Sequence, residues 1–120
     1  MKTPFLIFVL LIMISPDPSC LEKLQSGYKF LKQISVRPGE YGYFETSYVF
    51  AKGCSYNLIT CPSSEFTRFE VYNSQRQKVI ELSDKTSVSI PIQYNCQATG
   101  VYYLRLYQGS GELVLGFKRT

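Results

Sequence analysis

Between residues 34 and 118 the chain runs in short stretches of alternating apolar and polar positions, divided by turn residues. The alternation is cleanest over 86–94. There Val88, Ile90, Ile92 and Tyr94 point one way, and Ser87, Ser89, Pro91 and Gln93 point the other. A period of two with polar partners predicts a strand with one buried and one wet face. Pro91 has no N–H to give to a ladder, so this strand belongs at a sheet edge or a bulge. Residues 100–107 repeat the pattern, with Tyr102, Leu104 and Leu106 facing a core and Val101, Tyr103, Arg105 and Tyr107 facing away. Residues 41–50 align Phe44, Thr46, Tyr48 and Phe50, residues 54–61 turn Tyr56 and Leu58 inward, and residues 66–72 align Phe69 and Val71. Further strands are predicted over 78–82 and 112–118. Pro38-Gly39, Ala51-Lys52-Gly53, Asn73-Ser74-Gln75, Ser83-Asp84-Lys85 and Gly109-Ser110-Gly111 read as turns, and Pro62-Ser63-Ser64 as a strand break. Seven or eight strands with turns about every 8–12 residues predict an all-β fold, an antiparallel β-sandwich of jelly-roll type.

Ahead of this region the pattern is different. Residues 5–14, FLIFVLLIMI, form an unbroken apolar run behind Lys2, and Pro16 and Pro18 follow it. Such a run is too short to hold a bilayer-spanning helix. A positive start, a short apolar core and helix-breaking prolines predict a secretory signal peptide over 1–19. No second long apolar segment follows, so the mature chain is expected outside the cytoplasm, periplasmic, cell-surface or extracellular, with no membrane span. Ser19-Cys20 also has the form of a lipid-attachment site, although Asp17 stands where an aliphatic residue is expected; a lipid anchor on Cys20 is the alternative. Leu21, Leu24, Tyr28 and Leu31, spaced at three, four and three, predict a short helical lead-in over 20–33, with Gly27 opposing it. The remainder, 34–120, is a single sandwich domain.

Composition narrows the chemistry. The chain of 120 residues is long enough for one core. It contains no His, so the usual near-neutral proton shuttle and the commonest metal ligand are both missing. Ser-His and Cys-His catalysis and most zinc chemistry are thereby excluded, and no glycine-rich phosphate loop is present. Glu65, Glu70 and Glu81 are the acids a glycosidase pair could use, but the expectation is three solvated surface carboxylates and no enzyme. Asp84 is the only Asp beyond residue 19, which disfavours calcium; no metal or cofactor is predicted. A net charge of +4, with the cations interspersed, argues against nucleic acid. Of the four cysteines, Cys54 and Cys61 would lie about 23 Å apart on one strand, too far for a bond. Cys61 and Cys96 each close a strand before an irregular loop. The predicted disulfide is Cys61–Cys96, with Cys54–Cys96 as the alternative.

Phe69-Glu70-Val71-Tyr72-Asn73, an apolar return, and then CQATGVYYLRLY over 96–107 resemble the closing half of bacterial pre-peptidase C-terminal-like β-sandwich domains. Thr99-Gly100-Val101-Tyr102-Tyr103 matches their threonine-glycine-tyrosine strand, and AKGCSYNLITC over 51–61 is similar to their small-Gly-x-x-Tyr strand. The chain is similar, more closely still, to small exported bacterial proteins made of a signal peptide and one such sandwich. The resemblance spans roughly residues 34–118. It implies an accessory or binding module rather than a catalyst, and the chain departs from the larger family in lacking its usual aspartates. From the residues themselves, Tyr103, Arg105 and Tyr107 form the expected ligand face, with Tyr41 and Tyr43 as further ring area. Flat rings with polar tips and a guanidinium suit carbohydrate, peptidoglycan or an envelope protein. The other class is a structural or assembly subunit, or an inhibitor, that offers the strand at 86–94 as an edge.

Overall fold

The structure, a computed structural model, describes residues 19–84, Val88 and residues 91–120. The export segment expected over 1–19 therefore lies outside the described residues, apart from Ser19. A one-turn helix α1 (Ser19–Glu22) precedes eight strands: β1 (Lys29–Val36), β2 (Tyr43–Phe50), β3 (Cys54–Ser64), β4 (Arg68–Tyr72), β5 (Lys78–Leu82), β6 (Ile92–Asn95), β7 (Gly100–Tyr107) and β8 (Ser110–Arg119). They form two antiparallel four-stranded sheets in a sandwich-like arrangement. Sheet A has the order β1-β8-β3-β6 and sheet B the order β2-β7-β4-β5. The pairings are nested: β1 with β8, β2 with β7, β3 with β6 and β4 with β5.

The alternation predicted along each strand sets the core. Phe50, Phe69, Val71, Tyr102, Leu104 and Leu106 of sheet B meet Val36, Tyr56, Leu58, Leu113 and Leu115 of sheet A, all buried. Phe50 stacks on Tyr56 at 4.1 Å between ring centroids and on Tyr102 at 5.0 Å. Offset stacking of this kind adds about 0.5–1.5 kcal/mol per pair beyond the area buried.

Three local expectations change. First, the lead-in is helical only over Ser19–Glu22, and β1 already starts at Lys29. Gly27 adopts a φ of 90°, which ends any helix there. Residues 19–28 instead lie as a strap across the outer face of β3 and β8. Leu24 packs on Cys20, Ile59 and Val114. The Gln25 N–H donates to Asn57 Oδ1 at 2.9 Å, and Asn57 Nδ2 donates back to Gln25 Oε1 at 2.9 Å. The Tyr28 hydroxyl shares a hydrogen with Ser55 Oγ at 2.6 Å. Side chains 55–60 of β3 are thus buried on both faces.

Second, among the described residues of the strand expected over 86–94, Ile92–Asn95 form a ladder strand and Val88 has a helical-type bond instead. Val88 donates its N–H to Asp84 O at 3.1 Å, while its carbonyl accepts from Thr60 Oγ1 at 2.7 Å. Residues 85–87, 89 and 90 lie outside the described residues. Pro91, directly ahead of β6, has no N–H to give to the ladder. The inward direction of Val88, Ile92 and Tyr94 holds, and β6 is a sheet edge as Pro91 implied. Third, β3 runs through Pro62 to Ser64 with a bulge instead of breaking.

The disulfide also differs: Cys61 bonds Cys20, with Cα atoms 5.8 Å apart, and Cys54 and Cys96 are thiols. Strand parity gives the reason. Cys61 shares the outward face of β3 with Ile59 and so meets the strap, whereas Cys96 follows Ile92 and Tyr94 into the core. The β3–β6 register moreover puts Cys96 near Cys54, about 23 Å along the strand from Cys61. A sulfur held in Cys20–Cys61 carries no lipid.

Candidate functional site

The two outer faces of the sandwich are unequal. That of sheet A lies under the strap; that of sheet B is uncovered by any described segment. Antiparallel register arranges sheet B's outward side chains in rows. Tyr43, Tyr107 and Arg68 form one, Glu45, Arg105, Glu70 and Glu81 the next, and Ser47, Tyr103, Tyr72 and Lys78 a third. The predicted residues Tyr103, Arg105 and Tyr107 therefore do share one face, at half-buried positions on the inner strand β7. Tyr43 joins them, with its ring 5.3 Å from that of Tyr107. Tyr41 stays apart in the preceding turn, 83% exposed.

Arg105 is the centre of the lattice. Its Nε donates to Glu45 Oε1 at 2.7 Å, and its guanidinium lies 4.6 Å from the Tyr43 ring and 5.0 Å from the Tyr72 ring. The Glu45 carboxylate raises the Arg105 pKa further, so the cation is permanent. Arg76, on the β4–β5 hairpin, lies 3.7 Å over the Tyr103 ring and reaches Glu45 at 3.4 Å. Asn73 builds that hairpin by accepting from the N–H groups of Gln75 and Gln77.

Glu70 overturns the expectation of a solvated carboxylate, being only 2% exposed. Its Oε1 accepts from the hydroxyls of Tyr72 and Tyr107, both at 2.8 Å, and its Oε2 lies 3.0 Å from Lys78 Nζ. Burial pushes the Glu70 carboxyl up, but Lys78 and the two phenols together hold it below the ordinary carboxylate range. The same contacts act in reverse on the partners. Burial first, then Glu70, raises the Tyr72 and Tyr107 phenols, and Glu70 raises Lys78. Glu81 meets Glu70 across β4 and β5 and shares Lys78 with it at 3.3 Å; Glu65 lies in the loop between β3 and β4. The covering Arg76 was not visible in sequence, since it depends on which strands become neighbours. Tyr72 stands two residues from Glu70 on the same strand, and its alternation was the available signal.

Beyond Ser47 and Tyr103 the face ends in an apolar corner. Val49 and Val101 pair across β2 and β7 there, 59% and 37% exposed, in a shallow concavity of about 410 Å³. A larger groove, of about 820 Å³, runs beside the disulfide and is lined by Lys23, Gln33, Arg37 and Glu112. Glu112 Oε1 accepts from Gln33 Nε2 at 3.3 Å, while its Oε2 is buried without a hydrogen-bond partner.

The chain matches no family model and no curated protein.

Among the described residues no three side chains of the metal-binding types come together, and no helix is long and apolar enough to cross a membrane. The arrangement on sheet B offers flat rings, hydroxyls and a fixed guanidinium, and its carboxylates are already bonded to cations or phenols.

Proposed function

We propose that the chain is an exported, non-enzymatic binding module of the pre-peptidase C-terminal-like type, whose open sheet B face takes a carbohydrate of the cell envelope. The observation that carries this reading is the contrast between the two outer faces. The strap covers one, and the other gathers Tyr43, Tyr72, Tyr103, Tyr107 and Arg105. Rings with polar tips give apolar area for the flat side of a sugar, and the hydroxyls and guanidinium give hydrogen bonds to its rim. Along the row Glu45, Arg105, Glu70 the charges alternate in sign, which favours a neutral or weakly charged glycan over a polyanion. Val49 and Val101 add apolar surface beside Tyr103. Arg76 occupies one side of the Tyr103 ring, and on its exposed hairpin it is the group an incoming sugar displaces.

The nested strand pairing supports the jelly-roll form of the sandwich, an architecture also used by lectin domains. That support is analogy of fold only. The Cys20–Cys61 bond supports export, since disulfides persist in oxidising compartments.

A glycan-array screen of the wild-type protein beside Tyr103→Ala tests the reading. A defined set of bound glycans that Tyr103→Ala loses is expected, and flat profiles from both proteins would overturn it. A second reading, a subunit or inhibitor that pairs through an edge, is favoured by one observation: β6 has four residues and stands at the edge of sheet A. Recovery of one stoichiometric protein from envelope extract, with nothing retained on polysaccharide resin, would select it.

A further inference from the structure

The β3–β6 ladder brings two thiols together. Ser55 pairs with Asn95, and the next step places Cys54 opposite Cys96. Two backbone bonds hold that step: the Cys96 N–H donates to Cys54 O at 3.0 Å, and Cys96 O accepts from the Gly53 N–H at 3.4 Å. Opposed residues of an antiparallel pair have Cα atoms about 4.5–5.5 Å apart, inside the range of roughly 4.4–6.8 Å that a disulfide spans. The side chains also point the same way. Cys96 is part of the core and Cys54 packs against it. Both sulfurs act on the buried Tyr56 phenol, whose pKa is raised first by burial and then by these neighbours, against the lowering effect of the Ala51 N–H.

We infer that Cys54 and Cys96 are a dithiol site that an external disulfide oxidises to a second intramolecular bond. Cys54 is partly exposed and Cys96 is 4% exposed, donating to Ala98 O at 3.2 Å, which fixes the order of events. The Cys54 thiolate attacks one sulfur of the external disulfide, forming a mixed disulfide and releasing one thiolate. The Cys96 thiolate then attacks the Cys54 sulfur, expelling the second. The two cysteines lose two protons and two electrons, and the external disulfide becomes two thiols. The product ties the short edge strand β6 to β3, a strand whose other end Cys61 ties to the strap. Occupancy in the cell rests on the export reading, whereas exchange in the purified protein does not.

The test uses the purified full chain, incubated folded with oxidised glutathione, then denatured without reductant, alkylated and mapped by peptide mass. The expected product has Cys54 and Cys96 protected from alkylation and joined in one linked peptide that reduction separates. Cys54→Ser should abolish the linked peptide and leave Cys96 alkylated. A Cys20→Ser/Cys61→Ser variant, with only this pair left, should form the same internal link. Alkylation of both thiols after the glutathione step, or a Cys96 link to any other cysteine, would overturn the inference.

Discussion

Glu70 holds a charge at 2% exposure because the Tyr72 phenol of its own strand and the Tyr107 phenol and Lys78 ammonium of the two neighbouring strands reach it. Glu70→Gln keeps the shape and removes the charge, so it should cost about 1–3 kcal/mol in denaturant unfolding at neutral pH. The folded-state pKa lies below the unfolded one. This contribution is therefore complete above the ordinary carboxylate range and is lost as pH falls through the folded value. Unfolding measured over a pH series should show the gap between wild type and Glu70→Gln closing on acidification, and a constant gap would contradict the assignment. At the alkaline end Tyr72, Tyr107 and Lys78, all raised, lose their contributions as pH rises past their ordinary values. Tyr103, Arg105 and Tyr107 were legible in sequence because one strand's alternation alone fixes their side. The outward position of Glu70 on β4 implied water; Tyr72 shares that strand and side, but only the register with β7 and β5 brings Tyr107 and Lys78 over the carboxylate.

The strap shows how a segment with a single helical turn of its own can be held. Its disulfide closes a span of 41 residues, and its polar groups bond the buried Asn57 and Ser55 beneath it, Asn57 Nδ2 also donating to Ile92 O at 3.0 Å. Cys20→Ser/Cys61→Ser should lower stability by about 2–4 kcal/mol. It should also raise amide hydrogen exchange over 23–28 more than in sheet B; uniform change throughout the chain would contradict a strap. Gly116 lies under Leu24, where a Cβ would collide with the Leu24 side chain, so Gly116→Val should loosen the same segment with the disulfide intact. The strands were readable because their period is two and their turns carry Gly, Pro and Asn. The strap was not, since Leu21, Leu24, Tyr28 and Leu31 have helical spacing but serve different contacts. Leu21 is 41% exposed, Leu24 packs beneath the strap, and Leu31 already belongs to β1. Cysteine pairing was half readable: parity along β3 puts Cys61 on the face opposite Tyr56 and Leu58, but the strap that carries Cys20 to that face was not foreseen.

At the scale of the whole molecule, the sandwich turns a nested series of strand pairs into two sheets, seals one outer face with residues 19–28 and leaves the other uncovered by any described segment. The open face is built from β2, β7, β4 and β5, whose rows of tyrosine and charge are pre-ordered by cross-strand bonds. Arg76→Ala should uncover the Tyr103 ring and leave glycan retention on a polysaccharide resin equal or stronger, whereas loss of retention would make Arg76 part of the ligand contact. The most direct measurement is an amide chemical-shift titration of the labelled protein with soluble peptidoglycan fragments. The account predicts saturable shifts grouped on residues 43–49, 68–72 and 101–107, and none in β6. Shifts confined to β6, or no change at any fragment concentration, would contradict it.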